Sequence, residues 1–319
     1  MGRGPLAVGL ALGGPADPRA WDEALALAAW ADAAGLDSLW LPEGHLRRGA
    51  PSAPLLGLAA FAARTARIRL ATTSLLISIH EPLRVAAEVA TLDQLSEGRV
   101  VLGLGRGFEP AMLRAFGIDP RTKRDRFDDA LDAMLAAWRT AAAEGDPALA
   151  PVQRPHPPLF VAAFGTKGLA QAARRGLPYL ASPLESLATL ERNFARHAAL
   201  LPPGAPRPPV AAMRTVHVAA DAAEARRLRE AADAEFAALA ARAAGGPGPG
   251  PGSALAEAAA GAAADRVLIG EPGEVADGIA RYRERLGLDL LVVRPAARTD
   301  DRARRAALER LVADVLPRL

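Results

Sequence analysis

Residues 82–104 read PLRVAAEVATLDQLSEGRVVLGL. Pro82 stands where a helix tolerates proline, in its first turn, because the N–H it lacks would have no intrahelical acceptor there. Apolar residues recur at helical spacing to Leu95, the helix ends near Ser96, and Gly98 lies just beyond, where a left-handed C-terminal residue is favoured. Val100–Leu104 then follows without one polar side chain. A strand without polar alternation is buried on both faces, as parallel strands covered by helices are.

The same alternation runs outward in both directions. Before it the pattern predicts strands at 6–12, 37–41 and 68–73, and helices at 18–34 and 54–65. After it come strands at 159–163, 179–181, 210–219 and 288–293. Helices at 125–140, 167–175, 185–200, 221–244, 272–286 and 302–316 separate and close them. Eight strands alternating with helices predict an α/β chain folded as a single (β/α)8 TIM barrel over residues 1–319; a doubly wound open sheet is the alternative. The only low-complexity stretch, GGPGPGPGS at 245–253, holds five glycines and three prolines. It reads as a flexible excursion loop before the last βα unit, not a domain boundary.

Composition excludes several classes. Half of the 319 residues are hydrophobic and 24% are charged, which is globular. There is no cysteine, so disulfides, thiolate metal sites, iron–sulfur clusters and a cysteine nucleophile are ruled out. The net charge is +3, and the basic pI reflects arginines with only two lysines, Lys123 and Lys167. Acidic residues are scattered among them, so no nucleic-acid surface is expected. No apolar run approaches the roughly 18 residues of a membrane span. The first twelve residues, faintly like a signal peptide, read better as a buried first strand ahead of the Gly13-Gly14-Pro15 turn. A cytoplasmic protein without a membrane segment is the expectation.

The five histidines, His45, His80, His156, His197 and His217, show no metal-ligand spacing, and no metal is expected. GLGRGF at 103–108 mimics a dinucleotide fingerprint but has Phe108 where the third glycine belongs. In a barrel, chemistry gathers at the C-terminal ends of the strands. That singles out Glu43 and His45, Thr73 and Ser74, Arg106, Gly165 to Gly168, and Ser182. Arg106 and Arg124 could grip a phosphate bidentately, and GTKG opens a helix with free N–H groups and Lys167. Arg214 lies within a strand, where a guanidinium is costly unless it meets an anion or a polar site; Thr215 and His217 fall on the other face.

DSLWLPEGH at 37–45, the whole of 63–108, and FGID at 116–119 with Arg124 resemble the bacterial luciferase-like flavin oxidoreductases. The likeness continues more loosely through 157–182 and 269–293. It implies a (β/α)8 barrel, usually a homodimer packed through helices such as 82–96, binding reduced FMN or the related 8-hydroxy-5-deazaflavin coenzyme. Carried over by position, Arg106 and Arg124 hold the flavin phosphate. Gly165, Lys167 and Gly168 form its binding turn with Phe164 beside it, and Ser182 touches the flavin. Thr73-Ser74, or the register one residue on, matches a non-proline cis peptide under the ring. Glu43 and Phe108 line the ring, core packing being the other reading for Phe108 and Phe164. Arg214 resembles a flavin-facing arginine of alkanesulfonate monooxygenases.

One departure stands out. The first of two adjacent histidines in luciferase, its catalytic base, is Gly44 here, which speaks against light emission. His45 is either an acid/base beside the flavin or a structural hydrogen-bonding group. The implied activity is oxidation of a small-molecule substrate by reduced FMN and O2, the flavin coming from a separate flavin reductase. The alternatives are deazaflavin-dependent hydride transfer and a non-catalytic flavin-binding barrel. The 245–253 loop is expected to act as a lid, or else as a plain spacer.

Overall fold

The computed structural model describes residues 4–15, 17–46, 51–163, 165–245, 263–297 and 299–319. Nine strands lie among them: β1 (Ala7–Ala11), β2 (Ser38–Leu41), β3 (Arg69–Leu75), β4 (Val100–Leu104), β5 (Leu159–Ala162), β6 (Tyr179–Ala181), β7 (Ala211–Val218), β8 (Val267–Gly270) and β9 (Leu290–Pro295). Their hydrogen-bonded order is β6-β5-β4-β3-β2-β1-β9-β7-β8, and β6 also pairs with β7. Eight of them, β1 to β7 and β9, form a closed cycle of neighbours: the fold is a (β/α)8 barrel. The expected eight strands are these eight. The ninth, β8, was not read from the sequence; it lies after the expected 245–253 loop and pairs with the second half of β7, Thr215 opposite Val267 through Val218 opposite Gly270. Most of the glycine–proline segment, residues 246–253, lies outside the described residues.

The chain divides into two compact units. The first holds Leu10–Ala162. Its helices are α1 (Pro18–Ala33), α2 (Pro54–Ala62), α3 (Pro82–Leu95), α4 (Pro110–Ala115) and α5 (Lys123–Glu144). Each of the first four opens on proline; α4, the shortest, was not among the expected helices. Strands β2, β3 and β4 run parallel, with Leu41 opposite Thr72 and Thr72 opposite Leu102. Between Thr73 and Leu75 the register shifts, and the Thr73–Ser74 peptide is cis. Trp40, Phe61, Phe127 and Trp138 are wholly buried. Trp138 Nε1 donates to Ala86 O at 3.0 Å, satisfying its one polar atom.

The second unit joins the first nine residues to Ala163–Leu319. It carries β6 to β9 with α6 (Gly165–Ala173), α7 (Leu187–Ala199), α8 (Ala222–Gly245), α9 (Pro272–Leu286) and α10 (Asp301–Arg310). Helix α9 shows why its ends fall where they do. Glu271 and Glu274 form a reciprocal capping box, Pro272 begins the first turn, and Gly287 closes the helix at φ +69°.

Candidate active site

In the first unit, β4 ends at Leu104 and the chain turns through Gly105, Arg106 and Gly107. Gly105 N donates to Leu75 O at 2.8 Å, so the turn lies against the end of β3. A Cβ on Gly105 would come within 2.2 Å of Ser74 Oγ and 3.0 Å of Ser74 Cβ. Gly107 takes φ +70°. Both glycines are therefore steric requirements. Between them Arg106 reaches across to β5, where Nη2 donates to Ala162 O at 2.8 Å and the guanidinium lies 5.6 Å from the Phe127 ring centre.

Lys123, the first residue of α5, donates to Gly107 O at 3.2 Å. Burial, then the neighbouring Arg124 charge, lowers the Arg106 pKa to about 10, with Asp128 opposing. Burial, then Arg124 and Arg106, also pulls Lys123 below its ordinary value. Three cations thus repel one another beside the end of β4. The sequence reading found Arg106 and Arg124 but passed over Lys123, whose place depends on how α5 returns to the β4 end.

A second cluster gathers on Glu43. Its Oε2 accepts from Leu76 N at 2.6 Å. Its Oε1 meets His45 Nε2 at 2.6 Å and His80 Nε2 at 2.7 Å. The Glu43 side chain is fully buried, and the His45 ring also packs edge-on against Phe116. Spacing alone did not bring His80 to this place, since the contact depends on β2 and β3 lying side by side. Phe108 is 43% exposed, against the core-packing reading.

Burial raises the Glu43 pKa, but hydrogen bonds and charge from His80, with help from Leu76 and His45, leave it below the ordinary 4.5. The hydrogen bond to Glu43 lifts His80 above 6.5, against desolvation. The His80 contribution is complete below about pH 6.5 and fades as pH rises through its raised value. The Glu43 contribution is complete above about pH 4.5 and fades as pH falls through its lowered value. The pair therefore stabilises most between these limits. Urea unfolding of the wild type and Glu43→Gln should show a larger stability gap at about pH 5.5 than at about pH 8.5. Equal gaps would show that the pair carries no charge.

In the second unit, α6 opens with Gly165 at φ +65°, then Thr166, an exposed Lys167 and a buried Gly168. Phe164 lies outside the described residues. Thr166 Oγ1 accepts from Arg196 Nη1 at 2.8 Å. Ser182 follows β6; its N donates to the buried Glu185 at 2.8 Å, and its carbonyl accepts from Arg214 Nη1 at 2.8 Å. Arg214 is wholly buried on β7, its Cζ 5.1 Å from the Tyr282 ring centre. Its Nε and Nη2 have no hydrogen-bond partner among the described residues. His217 Nε2 meets Glu224 Oε1 at 3.2 Å.

The family model for luciferase-like monooxygenases matches residues 6–289. The chain belongs to that family. It is 41% identical over 109 residues to 4-hydroxyprotoasukamycin monooxygenase of Streptomyces nodosus subsp. asukaensis, covering 34% of this chain and 29% of that one. It is 28% identical over 183 residues to the oxygenase component of the flavin-dependent trigonelline monooxygenase of Acinetobacter baylyi, covering 51% and 49%. The chain spans about half or less of the length of the curated relatives it matches. Among solved structures, the oxygenating constituent of 3,6-diketocamphane monooxygenase from Pseudomonas putida, in complex with FMN, superposes with TM-score 0.78 at 20% identity over 98% of both chains. An F420-dependent secondary alcohol dehydrogenase shares the fold at TM-score 0.73 and 18% identity over 99% of both. Among the described residues no helix is long and apolar enough to cross a membrane.

Proposed function

We propose that this family member is the oxygenase of a two-component monooxygenase, using reduced FMN from a separate reductase and O2 to oxidise a small organic substrate. The observation that carries the reading is the convergence of Arg106, Lys123 and Arg124 on one spot. Three mutually repelling cations, two of them partly withdrawn from water, fit the phosphate monoester of a flavin.

Reduced FMN supplies the electrons that activate O2. The chain's own part is binding and orientation. Arg106 and Arg124 hold the phosphate and Lys123 adds a point charge. Thr73, Ser74 and Phe108 take the ring face on the family resemblance. His45, oriented by Glu43, holds a proton at Nε2 where the family's second histidine would stand. Gly165, Lys167, Gly168 and Ser182 keep the flavin-contacting roles that the resemblance implies. The two unpartnered nitrogens of Arg214, Nε and Nη2, support a polar ligand there. The reading includes a cytoplasmic homodimer through α3, on which Leu83 and Leu95 are exposed.

Anaerobic titration of the full chain tests the cofactor. One reduced FMN per chain should bind, and more tightly than the 8-hydroxy-5-deazaflavin coenzyme. Tight binding of the deazaflavin alone would replace the proposal with hydride transfer. Binding of neither would leave a barrel without this chemistry.

A further inference from the structure

Glu43, His45 and His80 place three ligand atoms, one carboxylate oxygen and two imidazole nitrogens, within 4.8 Å of one another. We propose that these three residues form a binding site for a divalent transition-metal ion of the zinc type. Such a site is independent of which cofactor the chain uses. Both Nε2 atoms already point at the same oxygen, at 2.6 and 2.7 Å. Metal–nitrogen and metal–oxygen bonds to zinc are about 2.0–2.2 Å, so two ligands of one ion lie at most about 4.2 Å apart. Side-chain shifts of less than an ångström bring all three donors into that range.

The surroundings suit the task. The carboxylate is fixed from behind, because Leu76 N–H holds Oε2 at 2.6 Å and leaves Oε1 as the donor. Such outer support orients a metal-binding group before the ion arrives. The His45 ring is braced by Phe116, with ring centres 4.7 Å apart. The His80 side chain keeps 30% of its surface exposed and His45 12%, so an ion can enter from solvent. Two imidazoles with one carboxylate and no thiolate select borderline ions such as Zn2+, Ni2+ or Cu2+ over Mg2+ or Ca2+. Three protein ligands leave at least one position for water.

The protons balance simply. In the hydrogen-bonded form a neutral imidazole carries its proton on Nε2 and donates to Glu43. On binding, the Nε2 lone pair goes to the ion and the ring keeps its single proton on Nδ1. A doubly protonated ring releases one proton to solvent. Once the ion is bound, His45 Nε2 can no longer carry a proton, so the ion switches off whatever acid/base work that nitrogen does.

The test uses ZnCl2 and the full chain without flavin, by calorimetry against a competing chelator. One ion per chain should bind. His45→Asn and His80→Asn should each weaken it by about tenfold or more, and His156→Asn should leave it unchanged. Far-UV circular dichroism without metal establishes that each variant is folded. Substitution of Co2+ into the wild type gives a readout that needs no variant. A visible spectrum of a four- or five-coordinate nitrogen–oxygen site supports the proposal, and the weak spectrum of the aqueous ion overturns it. Absence of stoichiometric Zn2+ binding, or binding that survives both histidine variants, overturns it equally.

Discussion

Arg106→Ala should weaken reduced-FMN binding by about 2–4 kcal/mol, roughly 30- to 900-fold, the scale for removing one partner of a buried charged contact. The size follows from how the side chain is held. Nη2 donates to Ala162 O and the guanidinium is laid against Phe127, so the plane of the group is fixed before ligand arrives. Lys123 and Arg124 remain in the variant, which is why binding is weakened and not abolished. Fluorescence titration under anaerobic conditions measures it, with Arg19→Ala as the control, since Arg19 forms only an exposed pair with Glu23. An unchanged affinity in a folded variant would remove Arg106 from the phosphate site.

Gly105→Ala should cost about 1–3 kcal/mol of folding stability, the range for forcing one methyl into a closed space. The added methyl meets Ser74 Oγ at 2.2 Å, Ser74 Cβ at 3.0 Å and Leu76 Cδ2 at 3.2 Å. The hydroxyl can rotate away and the Leu76 methyl can swing aside, but Ser74 Cβ moves only with β3. Ser74→Ala removes the closest atom, so the double variant should recover part of the loss, a coupling that a thermodynamic cycle in urea reads directly. A fully additive double variant would place the strain elsewhere.

Much of this architecture was legible from periodicity alone. The prolines that open α1, α2, α3 and α9 and the glycines past several helix ends are local signals, and the structure uses them locally. Strand β8 was missed for a physical reason. Val267–Gly270 is four residues long and follows a low-complexity stretch, so no run of alternation marks it. Arg106 could be read because glycines flank it at a strand end. Lys123 and His80 could not, because each reaches its cluster only once distant segments pack: α5 against the β4 turn, and the β3 end against the β2 end. Sequence spacing sees ligands that share a helix or a loop. It is blind to a carboxylate and two imidazoles delivered by different strand ends, as Glu43, His45 and His80 are.

Helix α5 begins on Lys123 and Arg124 with no side-chain cap from Thr122, and only Asp125 in that turn has the sign its dipole favours. The fold thus holds positive charge against the positive end of a helix and against Arg106. An anion arriving there relieves tension that folding has already built in. The reach of the cluster also differs from that of a fitted pocket: its field extends for about 8–10 Å at ordinary salt, whereas ring contacts act only on touching. Under the proposed reading the protein therefore takes hold of its cofactor tail-first and seats the ring afterwards. A reduced flavin in transit through aerated solution is lost to oxygen, and long-range capture shortens that transit.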